Sequence, residues 1–206
     1  MLGLFMPGFA LLLLSALAQA QLDVAVGGST LMSTANTTAS LNYLPPAEKA
    51  GTYPSISIEH IFTDRSFKGH NYGYNVEAAF RYHEGIYNNY QQYRPVLYDI
   101  NAVYVDRLSK RAKLEFLAGP GGQRLLFYSP PGGCPYSSGC STRFNSNQFL
   151  LHAGMEVHFR LWRSLFVRPE VHYYRIIDNS AFHSDNVLRL GASIGYTFRR
   201  DESGKD

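Results

Sequence analysis

The chain of 206 residues carries 19 Lys and Arg against 16 Asp and Glu, and its formal charge of +3 forms no basic stripe, which excludes nucleic acid as a partner. Hydrophobic residues reach 45% and aromatics 14%, yet beyond residue 20 no apolar stretch is long enough for a spanning helix, so any membrane crossing has to be made by strands. The roughly 185 residues that follow a leader suit one domain.

The leader comes first. An apolar run from Leu2 to Leu17 gives way to Ala18-Gln19-Ala20, the pattern of a cleavable secretory signal peptide with its A-x-A site. Residues 1–20 are therefore assigned to the signal peptide, 21–198 to a single β domain and 199–206 to a polar tail; Ala16-Leu17-Ala18 offers a second cut two residues earlier. No Lys or Arg precedes the apolar core, so its positive flank is the α-amine alone.

Period two then sets in, the signature of half-buried strands. Leu22, Val24 and Val26 alternate with Asp23, Ala25 and Gly27, and Ile56, Ile58 and His60 alternate with Ser55, Ser57 and Glu59. Tyr74, Val76, Ala78, Phe80 and Tyr82 alternate with Asn75, Glu77, Ala79, Arg81 and His83. Tyr98, Ile100, Ala102 and Tyr104 follow against Asp99, Asn101 and Val103, then Leu114, Phe116 and Ala118 against Lys113, Glu115 and Leu117. The longest pattern sets Leu151, Ala153, Met155, Val157, Phe159 and Leu161 against His152, Gly154, Glu156, His158 and Arg160. Its length of about eleven residues exceeds an ordinary sandwich strand and suits a tilted membrane strand. Across 166–176, Val167, Val171 and Tyr173 face outward and Arg168, Glu170, His172 and Tyr174 inward, and Pro169, which cannot donate to a ladder, predicts a bulge or a local gap. The last strand sets Leu188, Leu190, Ala192, Ile194, Tyr196 and Phe198 against Arg189, Gly191, Ser193, Gly195 and Thr197, making eight in all.

The connections alternate in length. Residues 34–51 and 129–145 are long, 64–71 and 85–93 intermediate, and 107–111 and 162–164 short, while 178–185 forms the last loop on the long side. Long loops on one side and short turns on the other are what membrane barrels show, and this parity places both chain ends with the short turns. Pro45-Pro46-Ala47-Glu48-Lys49-Ala50 predicts one helical turn with proline near its start. Gly119-Pro-Gly-Gly-Gln123 lacks the Lys-Ser/Thr of a phosphate loop and reads as strand. Cys134 and Cys140 sit in loop chemistry; export through an oxidising compartment makes a local disulfide the natural reading, and no nearby Cys or His completes a metal site.

Eight alternating strands behind a signal peptide, ending on Tyr196 and Phe198, resemble the small outer-membrane β-barrel superfamily of OmpA-like and OmpX-like domains. The resemblance covers the whole mature chain. It implies an all-β fold, a single antiparallel up-and-down transmembrane β-barrel of about eight strands, lying in the bacterial outer membrane with both termini in the periplasm. It also implies contact with outer-membrane lipid and lipopolysaccharide, insertion by the barrel-assembly machinery, and a monomer without cofactor or metal. Gly191, Tyr196 and Phe198 are similar to the family's terminal assembly signal, although Ser193 stands where glycine is usual.

The inward rows define the candidate site. Glu59, Glu77, Asp99, Glu115, Glu156 and Glu170 would meet Arg81, Lys113, Arg160, Arg168 and Arg189, with His152, His158 and His172 among them. The signs nearly balance, and an eight-stranded barrel is only wide enough for side chains to fill it, so the charges are expected to form a paired plug. A narrow ion or proton path through the same network is the rival. His152 and His158 are about 20 Å apart along one strand, which leaves His158 with His172 as the freer pairing. A lipid-modifying enzyme of the lipid A deacylase type would need an outward Ser, His and acid; His60 is the one outward histidine, and Ser55 and Ser57 face inward with Glu59. The preferred function is non-enzymatic, structural or adhesive, through outer loops that meet an unknown surface ligand. The Tyr- and amide-rich run 87–93 has adhesive character, set against its reading as an aromatic interface belt.

Overall fold

Alternation in sequence becomes alternation of faces. In a computed structural model that describes residues 21–33, 47–67, 70–87, 91–109, 111–128 and 144–198, every long run of period two is a strand. In chain order these are β1 (Gln21–Ser33), β2 (Thr52–Phe67), β3 (His70–Phe80), β4 (Gly85–Tyr87), β5 (Gln91–Arg107), β6 (Ala112–Tyr128), β7 (Ser146–Trp162), β8 (Leu165–Ile176) and β9 (Asn186–Phe198). Cys134 and Cys140, residues 1–20 and the tail 199–206 lie outside the described residues.

All pairings are antiparallel between neighbours, and β1 pairs β9 from Leu22↔Phe198 to Ser33↔Val187, which closes the sheet on itself. The short β4 pairs β5 just beyond the β3–β5 ladder, so β3 and β4 form one stave broken at 81–84, and the closed barrel has eight staves. Leu22 beside Phe198 puts both described chain ends at one end of the barrel. We call this the terminal end and the opposite one the loop end.

Outside, the wall is apolar. Val26, Ile58, Val76, Ile100, Phe116, Met155 and Ile194 are each at least 43% exposed around its middle. Aromatics gather at both rims: Phe62, Phe159, Trp162, Tyr196 and Phe198 at the terminal end, and Phe80, Tyr82, Tyr98, Phe149 and Tyr173 towards the loop end. Four strands, β2 and β5 to β7, run 16 or 17 residues, more than the ~9–11 that cross a hydrocarbon layer.

Three local expectations change. Residues 47–50 are not helical; they turn down into the loop-end mouth and bury Glu48. The strand with Arg81 stops at Phe80, leaving His83 exposed. The connection 64–71 is taken up largely by longer strands, because β2 reaches Phe67 and β3 starts at His70, with a register shift between Phe62 and Phe67. The stretch 119–122 stays in β6 although it carries no alternation, since a Cβ on Gly119 would lie 1.9 Å from the Ile100 carbonyl oxygen: glycine is what lets β6 lie so close to β5. At Pro169 the β7–β8 ladder skips from Glu156↔Glu170 to Phe159↔Val167 with its register unchanged, which is a local gap and no bulge.

Candidate functional site

Side chains fill the lumen in layers. Nearest the terminal end, Gln21 donates to Asp23 at 2.7 Å, and His158 stacks on Phe166 and faces Asp23 and Glu115, each at 3.7 Å. Above them Arg168 is the hub. It approaches Glu156 at 2.9 Å, Glu59 at 3.4 Å and Glu170 at 4.0 Å, and donates to the Ser57 hydroxyl at 2.7 Å. Arg189, one stave over, pairs with Glu77 and lies 3.6 Å from Glu170.

Next comes a ring stack. His152 and His172 lie parallel with Nε2 and Nδ1 2.9 Å apart, and Tyr174 stacks on both. His152 Nδ1 meets Asn101 Oδ1 at 2.7 Å, and the Asn101 amide donates to Asp99. That polarity assigns the tautomers: His152 donates from Nδ1, so its Nε2 accepts from His172 Nδ1, and His172 Nε2 is turned towards Glu156 at 3.5 Å. Above this level Leu31, Tyr53, Leu97, Leu150, Tyr174, Ile176 and Val187 form a buried apolar cluster.

The loop end is capped. Glu48 accepts from Tyr53 and, at 2.9 Å, from Gln123, while Arg81 donates to the carbonyls of Lys49 at 3.0 Å and Ala50 at 2.9 Å. Over this, Phe182 from the last loop packs with Tyr87, Tyr93 and Leu125, and the Tyr87 hydroxyl donates to the Ala181 carbonyl at 2.8 Å. Burial drives the Glu48 carboxyl above the ordinary carboxylate range, the bonds from Tyr53 and Gln123 opposing it only in part.

The inward rows therefore hold the residues the alternation assigns to them, with three corrections. The signs do not balance: seven carboxylates, Asp23, Glu59, Glu77, Asp99, Glu115, Glu156 and Glu170, are each at most 5% exposed, and among the described residues only Arg168 and Arg189 lie buried beside them. Arg81 belongs to the cap, and Lys113 and Arg160 sit half-buried at the terminal mouth, because staggered strands carry their end residues past the plug. The histidine pair is His152 with His172, not His158 with His172; Gly154 lies opposite His172, and a Cβ there would stand 3.0 Å from His172 Nδ1 and 3.1 Å from His152 Nε2, so its missing side chain makes the room. Finally, Tyr87 and Tyr93 are core residues of the cap and unavailable as adhesive contacts.

Two sets of ligand atoms, Glu59–Glu115–Glu156 and Glu77–Glu156–His172, come within 4.8 Å of one another. Each already holds a guanidinium, Arg168 on the first and Arg189 on Glu77 of the second, so the positive charge there is organic. His60 faces outward as its position requires, yet it is only 4% exposed, stacked on Tyr74 and edge-on to Phe62. Its cross-strand partners are Leu22 and Tyr74, so the described surface around it offers neither serine nor carboxylate for a hydrolytic set. Gly191 faces the lumen side of β9, whereas Tyr196 and Phe198 stand outward and edge-to-face at 4.9 Å.

No family model and no curated protein matches the sequence. Solved structures do match the shape. Ail, the attachment invasion locus protein of Yersinia pestis, superposes with a TM-score of 0.56 at 14% identity over 87% of this chain and 99% of that one, in a structure that also holds the heparin analogue sucrose octasulfate. Neisserial surface protein A gives 0.54 at 13% identity over 87% and 97%. The N-terminal β-barrel domain of Pseudomonas aeruginosa OprF gives 0.53 at 12% identity over 87% and 100%. The chain has the closed, eight-stranded antiparallel barrel fold of these outer-membrane proteins.

Proposed function

We propose that the protein is a bacterial outer-membrane barrel whose filled lumen makes it a rigid, non-conducting support for its outer loops, with both termini in the periplasm. The observation that carries this reading is the pairing of faces: an apolar, aromatic-rimmed wall encloses a lumen that is ionic at mid-height and sealed above by an apolar layer and a docked loop. Leu31, Leu97, Leu150 and Val187 pack together in that layer and leave little polar lining for water to follow among the described residues. The loops then carry the function, by contact with a surface ligand, and the barrel works as a monomer.

The lipid partner is lipopolysaccharide. Arg124 and Arg175 are exposed at the loop-end rim, and Arg94 lies over the Tyr128 ring at 6.0 Å while pairing with Glu84, so cations and tyrosines share the level where anionic headgroups sit. Tyr196 and Phe198 on the outward face of β9 are the part of the terminal strand open to the assembly machinery.

Purified barrel in planar bilayers tests the reading. No unitary conductance is expected at any voltage the bilayer tolerates, and lipid A from cells expressing the protein keeps its mass. Steady channels overturn the filled-lumen account; loss of an acyl chain overturns the non-enzymatic one.

A further inference from the structure

Among the described residues the terminal mouth is not capped as the loop end is. It opens into a cavity of about 340 Å³ lined by Gln21, Arg107, Ser109, Arg111, Lys113, His158 and Arg160. Four of the seven are permanent cations and none is a carboxylate. Lys113 donates to Gln21 at 3.2 Å, and His158 at the floor faces Asp23 and Glu115; among the described residues Arg107, Arg111 and Arg160 have no ion-pair partner.

The frame that holds these cations is fixed. Ser109 Oγ accepts from the amides of Arg111 at 3.2 Å and Ala112 at 3.0 Å, which sets the turn between β5 and β6, and the Arg160 amide donates to the Arg111 carbonyl at 2.8 Å, which ties β7 to that turn. Like charges converging on one cavity repel, and the arrangement raises the local concentration of anions. Guanidinium forks match tetrahedral oxyanions bidentately, and the volume is that of a small-ligand site.

We propose that this mouth binds a phosphate-bearing anion, held by Arg107, Arg111, Lys113 and Arg160, with the Gln21 side chain beside them. The phosphate belongs either to a soluble periplasmic molecule or to a phospholipid headgroup of the inner leaflet, and both present the same oxyanion. The proposal rests on the cavity and its charges and, for the side of the membrane it faces, on the orientation proposed above; it holds whatever the outer loops contact.

The test uses the purified barrel in a non-ionic detergent at 150 mM NaCl, following the amide resonances of Arg111, Ala112 and Arg160. Pyrophosphate probes the soluble source. Nanodiscs of phosphatidylglycerol, compared with phosphatidylcholine, probe the headgroup. Saturable shifts are expected with pyrophosphate, with phosphatidylglycerol or with both, and the responding arm names the source. An R107Q/R160Q double variant is expected to weaken binding at least ten-fold, as is R111Q, which changes only an exposed turn residue; R163Q, on a cation outside the cavity that lies over Trp162, leaves it unchanged. Failure of both probes to saturate overturns the proposal, and so does equal weakening by R163Q, which would mean diffuse attraction to the rim.

Discussion

Arg168 is the residue on which the plug turns. It is 1% exposed and shared by three carboxylates, so replacing it with methionine leaves Glu59, Glu156 and Glu170 facing one another without the cation they share. Breaking a buried pair from one side costs about 3–5 kcal/mol, and R168M is expected to lose that much in reversible urea unfolding in lipid vesicles. Gly154 is the quieter counterpart. G154V places methyl groups where His152 and His172 already stand within about 3 Å of the first added carbon, and a loss of about 1–3 kcal/mol is expected, with exchange broadening of the imidazole resonances. Sequence alternation was enough to place Glu156, Arg168 and His172 inside, because period two assigns faces. It could not say which histidines meet or how the charges tally, since both depend on the stagger between strands, which moves Arg81 to the cap and Lys113 and Arg160 to the mouth.

At the scale of elements, the segment 47–51 shows how a local pattern yields to a tertiary one. The helical turn expected there gives way to three anchors in the barrel mouth: Tyr53 and Gln123 on Glu48, and Arg81 on the Lys49 and Ala50 carbonyls. The raised Glu48 carboxyl gives the docking a pH dependence of definite sign. A group that binds its proton more tightly when docked favours docking most fully below the ordinary carboxylate range, and that contribution is lost as pH rises through the docked value. Amide exchange at Lys49, whose N–H donates to the Tyr93 hydroxyl at 3.2 Å, is therefore expected to quicken more than its intrinsic rate as pH is raised from 5 to 8. E48Q keeps an acceptor for Tyr53 and removes the extra dependence. Unaltered pH behaviour in E48Q would place its origin elsewhere. The β6 strand carries the opposite lesson: the Gly-Pro-Gly-Gly run, read as strand despite its composition, stays in the barrel wall and is where β6 lies against the β5 backbone.

For the whole molecule, the architecture was the most legible feature and for a plain reason. A closed sheet with one apolar and one polar face repeats the same two-residue signal on every stave, and loops of alternating length mark its two ends. The loop-end lid was not legible, because Phe182, Tyr87, Tyr93 and Leu125 come from three separate segments that only closure of the barrel brings together. The wall makes its own prediction. Ile100 is 60% exposed at mid-strand, so in lipid I100R is expected to cost about 2–4 kcal/mol, whereas an arginine on a water-facing wall would cost almost nothing.

The central claim, a closed barrel that crosses a membrane, is tested most directly by electrophoretic mobility after refolding into detergent, comparing boiled and unboiled protein. The barrel is expected to resist the sample buffer unheated and to migrate at a different apparent mass from the boiled chain. Identical mobility, from a mature chain that stays soluble without detergent, would contradict it and leave a secreted β-sandwich in its place.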